Sequence, residues 1–223
     1  RAGAGLVTVA TRPEHVAAIV AGRPELMVRG VASGADLAAL ASSADVVALG
    51  PGLGRCEWAR AMFAAALDAG VPLVVDADAL NLLAEAPRRR DDWILTPHPG
   101  EAARLLGCSV ADVQADRLGA VSELAARYGG VAVLKGAGTL VRRGTQVPWV
   151  CDRGNPGMAS AGMGDVLTGV IAGLAVQLGE PESAAAAGVL AHAMAGDLAA
   201  GAGERGLLAG DVIDALRACL NPA

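Results

Sequence analysis

Short runs of Val, Leu and Ile at 6–10, 45–49, 73–75, 93–95 and 131–134 alternate with longer Ala-rich stretches. Apolar runs this brief, with no polar alternation, suit strands buried on both faces of a largely parallel sheet, with helices packed on either side. Trp58, Met62 and Ala65 recur at helical spacing up to Gly70, and 113–128 keeps the same period up to Gly129 and Gly130. Both predict crossover helices closed by glycine. The segment 139–150 differs, because Thr-Leu-Val and Val-Pro-Trp-Val flank Arg143-Gly144 in the manner of an antiparallel hairpin. Three helices are expected after it, beginning near Asp165, Ser183 and Gly210.

Composition sharpens this α/β reading. The chain has 223 residues and is 53% hydrophobic, enough for one buried core, so 1–223 is read as a single domain. Aromatics are 2% and the net charge is -5. Neither the stacking platforms nor the basic footprint of a nucleic-acid binder is present. Cys56, Cys108, Cys151 and Cys219 form no C-x-x-C pair and are expected to be buried, reduced thiols. The most apolar stretch, 166–178, contains Gly169 and Gly173 and falls short of the roughly 18 residues of a membrane span. It is read as a core helix, with no membrane partner. The chain opens at Arg1 without Met or an apolar leader, so it is expected to be N-terminally incomplete and cytoplasmic. Arg88, Arg89 and Arg90 precede Asp91 and Asp92, the pattern of a solvated loop.

Ligands of open α/β sheets bind beyond the carboxyl ends of the strands. Gly50-Pro51-Gly52-Leu53-Gly54 follows the second predicted strand, Asp76-Ala77-Asp78 the third, Thr96-Pro97-His98-Pro99-Gly100-Glu101 the fourth, and Lys135-Gly136-Ala137-Gly138-Thr139 the fifth. The 50–54 turn lets a ligand approach the backbone closely, yet it fits neither a Rossmann nor a Walker loop. Asp76 and Asp78 suit Mg²⁺ or water, and equally the cap of a following helix. Lys135 suits a phosphate contact or a strand-end lysine reaching solvent. His98, between two prolines, is held in a stiff loop, whereas His15 and His192 read as structural. The sharpest signal is 154–165, G-N-P-G-M-A-S-A-G-M-G-D, which runs straight into an apolar helix. Bare amides at Gly162 and Gly164 and the helix dipole favour a phosphate there. Asp165 beside them is either a helix cap or a base for a hydroxyl approaching that phosphate.

Taken in order, G-P-G-L-G, D-A-D-A-L-N, T-P-H-P-G-E, K-G-A-G-T and N-P-G-M-A-S-A-G-M-G-D resemble the ADP- or ATP-dependent NAD(P)H-hydrate dehydratases. The resemblance implies a ribokinase-like fold from which an N-terminal strand is missing. It also implies repair of the S-form of NAD(P)H hydrate through phosphorylation of the ring hydroxyl and loss of phosphate. In that reading Asp165 is the base, and Gly50, Gly52, Gly54, His98 and Asp165 bind the hydrated dinucleotide. Lys135, Gly136, Ala137, Gly138, Thr139, Gly162 and Gly164 hold the adenine nucleotide. Mg²⁺ is the implied cofactor, with Asp76, Asp78 and Glu101 as weak candidates for its ligands. A homo-oligomer and a fused or separate NAD(P)H-hydrate epimerase are the implied partners. ADP is favoured over ATP as donor by the resemblance alone. Ala161 stands where the family's pattern has glycine.

Two rival readings remain at this level. One is a kinase of the same superfamily acting on a hydroxymethylpyrimidine or hydroxyethylthiazole vitamin precursor, although such kinases resemble T-P-N-x-x-E where this chain has His98. The other is a non-catalytic nucleotide-binding module.

Overall fold

The computed structural model describes residues 1–221. Two strands, β1 (Thr8–Thr11) and β2 (Met27–Gly30), pair in parallel as a small separate sheet, with α1 (Val16–Gly22) between them. After α2 (Gly34–Ala41) comes the main sheet: β3 (Val47–Leu49), β4 (Leu73–Val75), β5 (Trp93–Leu95), β6 (Val131–Leu134), β7 (Thr139–Arg143) and β8 (Trp149–Cys151). Its strand order follows the chain, with β3 to β6 parallel and β7 and β8 antiparallel.

That order dictates the layers. Right-handed crossovers between sequential parallel strands put every connecting helix on one face. α3 (Glu57–Asp68), α4 (Ala77–Glu85), α5 (Pro99–Leu106), α6 (Val110–Ala115) and α7 (Arg117–Tyr128) accordingly share a core with Leu73, Val75, Trp93, Leu95, Ala132 and Leu134. The alternate strand positions Val74, Ile94, Val131 and Val133 point to the opposite face, where Leu167, Ile171, Ala185 and Val189 cover them. Those come from α8 (Met163–Leu178) and α9 (Pro181–Ala199), and α10 (Ala209–Leu220) packs behind. The central strands are thus buried on both sides, which is why they read as unbroken apolar runs.

Several expectations need correction. The first strand lies at Thr8–Thr11 rather than 6–10, and Leu6 is exposed. The predicted helix 113–128 is two helices, because Asp116 turns the chain out (φ -138) and its carboxylate accepts the Gly119 amide (2.8 Å) to cap the second. The cysteines are free but not buried. Cys56 and Cys108 sit exposed at helix ends, and Cys151 and Cys219 are half-buried on the outer strand and the outer helix. Arg90 is no solvated residue either: its guanidinium bridges Leu67 O, Val71 O and Asp92, stapling the end of α3 to the start of β5. α9 with the turn after it, Pro181–Ala202, has the length and apolarity of a membrane span, yet half of its most apolar window is buried within the protein.

Candidate active site

The parallel ladder runs one rung past the strands. Asp76 N donates to Leu49 O (3.0 Å), Thr96 N to Val75 O (3.0 Å) and Lys135 N to Pro97 O (2.9 Å). Gly50, Asp76, the Thr96-Pro97-His98 run and Lys135 therefore stand side by side along the carboxyl edge. The start of α8 meets them there, since Thr168 Oγ1 on its second turn donates to Asp76 Oδ2 (2.8 Å).

Gly162, in the left-handed region (φ 86), turns the chain into α8, and the first helical bond is Val166 N to Gly162 O (3.0 Å). The amides of Met163, Gly164 and Asp165 thus precede any intrahelical acceptor, and among the described residues no protein group accepts from them. They form an open anion cradle at the positive end of a 16-residue helix. The preceding loop is held from below. Asp197 on α9 accepts from Gly154 N and Asn155 Nδ2 (both 3.0 Å), and Ser160 Oγ donates to Leu207 O (3.2 Å).

Asp165 is the third residue of α8, not its N-cap, so the cap reading falls away. Asp165 is exposed at the mouth of the cradle, and its carboxylate makes no hydrogen bond or ion pair among the described residues. Partial desolvation by the surrounding protein, and next the negative charge of Asp76, push its proton affinity above the ordinary carboxylate range, while Lys135 opposes them. Lys135 does not reach into solvent. Its ammonium lies 2.6 Å from Asp76 Oδ1 and 3.7 Å from Glu101 Oε2, and its side chain is 16% exposed. A Cβ on Gly164 would stand 3.2 Å from that ammonium, so the bare glycine is what lets Lys135 reach the mouth of the cradle.

Asp76 begins α4 without capping it by its side chain. Asp78 Oδ2 accepts the Gly54 amide (2.8 Å), pinning the 50–54 loop. Glu101 Oε2 accepts His98 N (2.8 Å), closing a capping box in which His98 Nδ1 accepts Gly100 N (2.9 Å). Each weak candidate for a Mg²⁺ ligand is therefore already engaged by protein donors. Among the described residues no three His, Cys, Asp or Glu side chains gather as a metal site. The donor set does not fit a protein-built Mg²⁺ cage.

His98 is half-exposed at the rim, and Gly52 and Gly54 take positive φ (66 and 76) in the neighbouring loop. In the 135–139 loop the amides of Gly136, Ala137 and Gly138 have no protein acceptor among the described residues. Thr139 Oγ1 donates to Gly136 O (2.9 Å). The Arg117 guanidinium, set on α7, gathers the carbonyls of Leu134 (3.2 Å), Lys135 (3.4 Å) and Gly138 (3.2 Å). His192 is buried in α9, while His15 is exposed before α1. Thr168, Arg117 and Asp197 shape the site without any motif to announce them. A lone hydroxyl inside the apolar α8 stretch is the signal by which Thr168 could have been found.

A family model described as NAD(P)H-hydrate dehydratase matches residues 1–218. The "Bifunctional NAD(P)H-hydrate repair enzyme Nnr" of Coxiella burnetii is 56% identical over 223 residues, 100% of this chain and 46% of that protein. This chain thus spans about half the length of such bifunctional relatives. The "ADP-dependent (S)-NAD(P)H-hydrate dehydratase" of Neisseria meningitidis is 42% identical over 211 residues, covering 90% of this chain and 70% of that one. Among solved structures, the ADP/ATP-dependent NAD(P)H-hydrate dehydratase of Bacillus subtilis, co-crystallised with ATP and Mg²⁺ and soaked with CoA, superposes with a TM-score of 0.84. It is 30% identical, over 98% of this chain and 81% of that one.

Proposed function

The chain belongs to the NAD(P)H-hydrate dehydratase family and has the ribokinase-like α/β fold, and on that footing we propose that it returns the S-form of hydrated NADH and NADPH to the reduced dinucleotide at the expense of ADP or ATP. The observation that supports this most is the unpaired Asp165 carboxylate standing beside three unclaimed amides at the start of α8.

Asp165 takes the proton of the ring hydroxyl. The oxygen attacks the terminal phosphoryl group of the nucleotide, and the phosphoanhydride bond breaks to release AMP or ADP. The amides of Met163, Gly164 and Asp165 and the Lys135 ammonium face the equatorial phosphoryl oxygens, where charge is spread in the transition state. The ring nitrogen's lone pair then expels phosphate as a C=N⁺ bond forms. Loss of a proton from the adjacent carbon restores the reduced pyridine. Both cleavages leave the dinucleotide's oxidation state untouched.

In this reading the 50–54 loop and His98 line the dinucleotide side, and Lys135 to Thr139 with Gly162 and Gly164 line the nucleotide side. The open amides of 136–138 favour that assignment. Because Asp76, Asp78 and Glu101 are engaged by protein donors, any Mg²⁺ would have to be brought by the nucleotide, whose phosphate charge it would offset. The name of the Neisseria relative favours ADP as donor. An epimerase, fused or separate, is the partner activity that would keep the S-form supplied, and the cytoplasm is the proposed compartment.

The test supplies the complete protein with hydrated NADH, and separately with hydroxymethylpyrimidine and hydroxyethylthiazole, each with ADP or ATP. Reappearance of NADH absorbance with stoichiometric inorganic phosphate is expected. A stable phosphorylated alcohol without NADH would establish the vitamin-kinase reading instead.

A further inference from the structure

Asp76 has the position of a helix cap and does not act as one. It precedes α4 with extended backbone (φ -138, ψ 171), where an Asp side chain ordinarily binds an amide of the first turn. No such bond forms. The next residue, Ala77, has φ 47, the one positive φ of a non-glycine residue among those described. A Cβ at Gly50 would stand 1.8 Å from Asp76 O, so the backbone there is also tightly enclosed. The chain has forgone a cap and accepted a left-handed alanine, the kind of local cost that marks functional positions.

The carboxylate, 1% exposed, is engaged elsewhere. One oxygen takes the Lys135 ammonium (2.6 Å) and the other the Thr168 hydroxyl (2.8 Å). The hydroxyl has a single proton, and the charged acceptor at 2.8 Å outcompetes Gly164 O at 3.1 Å. One buried group therefore joins the ends of β4 and β6 to the second turn of α8, directly beneath the cradle.

We propose that Asp76 is a positioning residue for the dehydration: its carboxylate fixes the Lys135 ammonium at the mouth of the cradle and holds α8 through Thr168, so that Asp165 and the transferring phosphoryl group meet in line. The proposal rests on the roles given above to Asp165 and the cradle. Without Asp76, Lys135 keeps only Glu101, at 3.7 Å, and α8 loses its tie to the sheet edge. A misplacement of about 1 Å at such a site costs on the order of 10²-fold in rate. The charge of Asp76 also favours the protonated form of Asp165, so its removal makes Asp165 a weaker base. The other titratable groups around this point are Lys135, Glu101 and His98 from the strand ends and His192 from α9.

The experiment compares Asp76→Asn, Lys135→Gln and the double variant in the complete protein, with melting curves to confirm folding. Expected for Asp76→Asn are a kcat lower by about 10²-fold, a hydrate KM changed far less, and an acidic limb of the kcat–pH profile moved to lower pH. The double variant, which leaves no unpaired buried ammonium, is expected to be no slower than Lys135→Gln alone, and that comparison decides the question if Asp76→Asn does not fold. Wild-type kcat with an unmoved limb in folded Asp76→Asn overturns the proposal, as does full additivity in the double variant. Asp165→Asn assayed in parallel separates the two levels. If it remains active, the base assignment fails. If it is silent while Asp76→Asn is fully active, only the role given to Asp76 fails.

Discussion

A carboxylate in the first turn of a helix ordinarily gains from the dipole and is readily ionised. Asp165 departs from that pattern because partial desolvation and Asp76 act against its charge and Lys135 acts for it. Its raised proton affinity suits a base that must hold a proton drawn from an alcohol. His192 shows the opposite shift. Desolvation in α9 lowers it from the ordinary 6.5 to about 4, against the Met163 backbone, which favours the protonated ring, and with the nearby Lys135 adding to the fall; among the described residues its Nε2 has no hydrogen-bond partner. The native protein thus refuses a proton that the unfolded chain accepts below about 6.5, so His192 contributes stability above that pH and loses it as the pH falls toward 4. Melting temperature should therefore fall across this window, and His192→Leu should flatten part of the fall. An equally steep profile in the variant would mean that other groups carry the acid sensitivity.

Among the elements, the strands were the most legible. The runs at 73–75, 93–95 and 131–134 coincide with β4, β5 and β6, since a strand covered on both faces has only apolar positions to show. β2 went unread because Met-Val-Arg-Gly has neither that density nor an alternation, half of it being exposed. The break at Asp116 was hidden by an apolar period that continues in register through both helices, from Val113 to Val121 and Leu124. The turn after β3 shows how the same residue type serves different ends. Gly50 (φ 131) faces Asp76 O at 1.8 Å from where a Cβ would be, whereas Gly52 (φ 66) faces open space. Gly50→Ala should cost on the order of 3 kcal/mol, through clash as well as strain. Gly52→Ala should cost about 1 kcal/mol, through strain alone. Chemical denaturation of the two variants measures both, and equal costs would contradict the enclosure of Asp76.

On the scale of the molecule, the site exists because sequential strand order sends α3 to α7 to one face and leaves the other to α8, α9 and α10. Residues as far apart as Asp76 and Thr168, 92 positions along the chain, then meet at one sheet edge. The strand-end rule placed Gly50, Asp76, His98 and Lys135 on that edge from sequence, because parallel pairing aligns their ends. It could not say that Lys135 would be caged by Asp76 and Glu101, or that Arg117 would gather the carbonyls of the 134–138 turn, since those partners are set by tertiary packing and not by spacing. The arrangement as a whole stands on a single carboxylate beside an open anion cradle. Asp165→Asn in the complete protein, followed for both hydrate turnover and nucleotide affinity, tests it most directly. Turnover should fall by about 10²- to 10⁴-fold, the contribution of a general base, with nucleotide affinity nearly unchanged because the amides remain. Undiminished turnover in the folded variant would contradict the account.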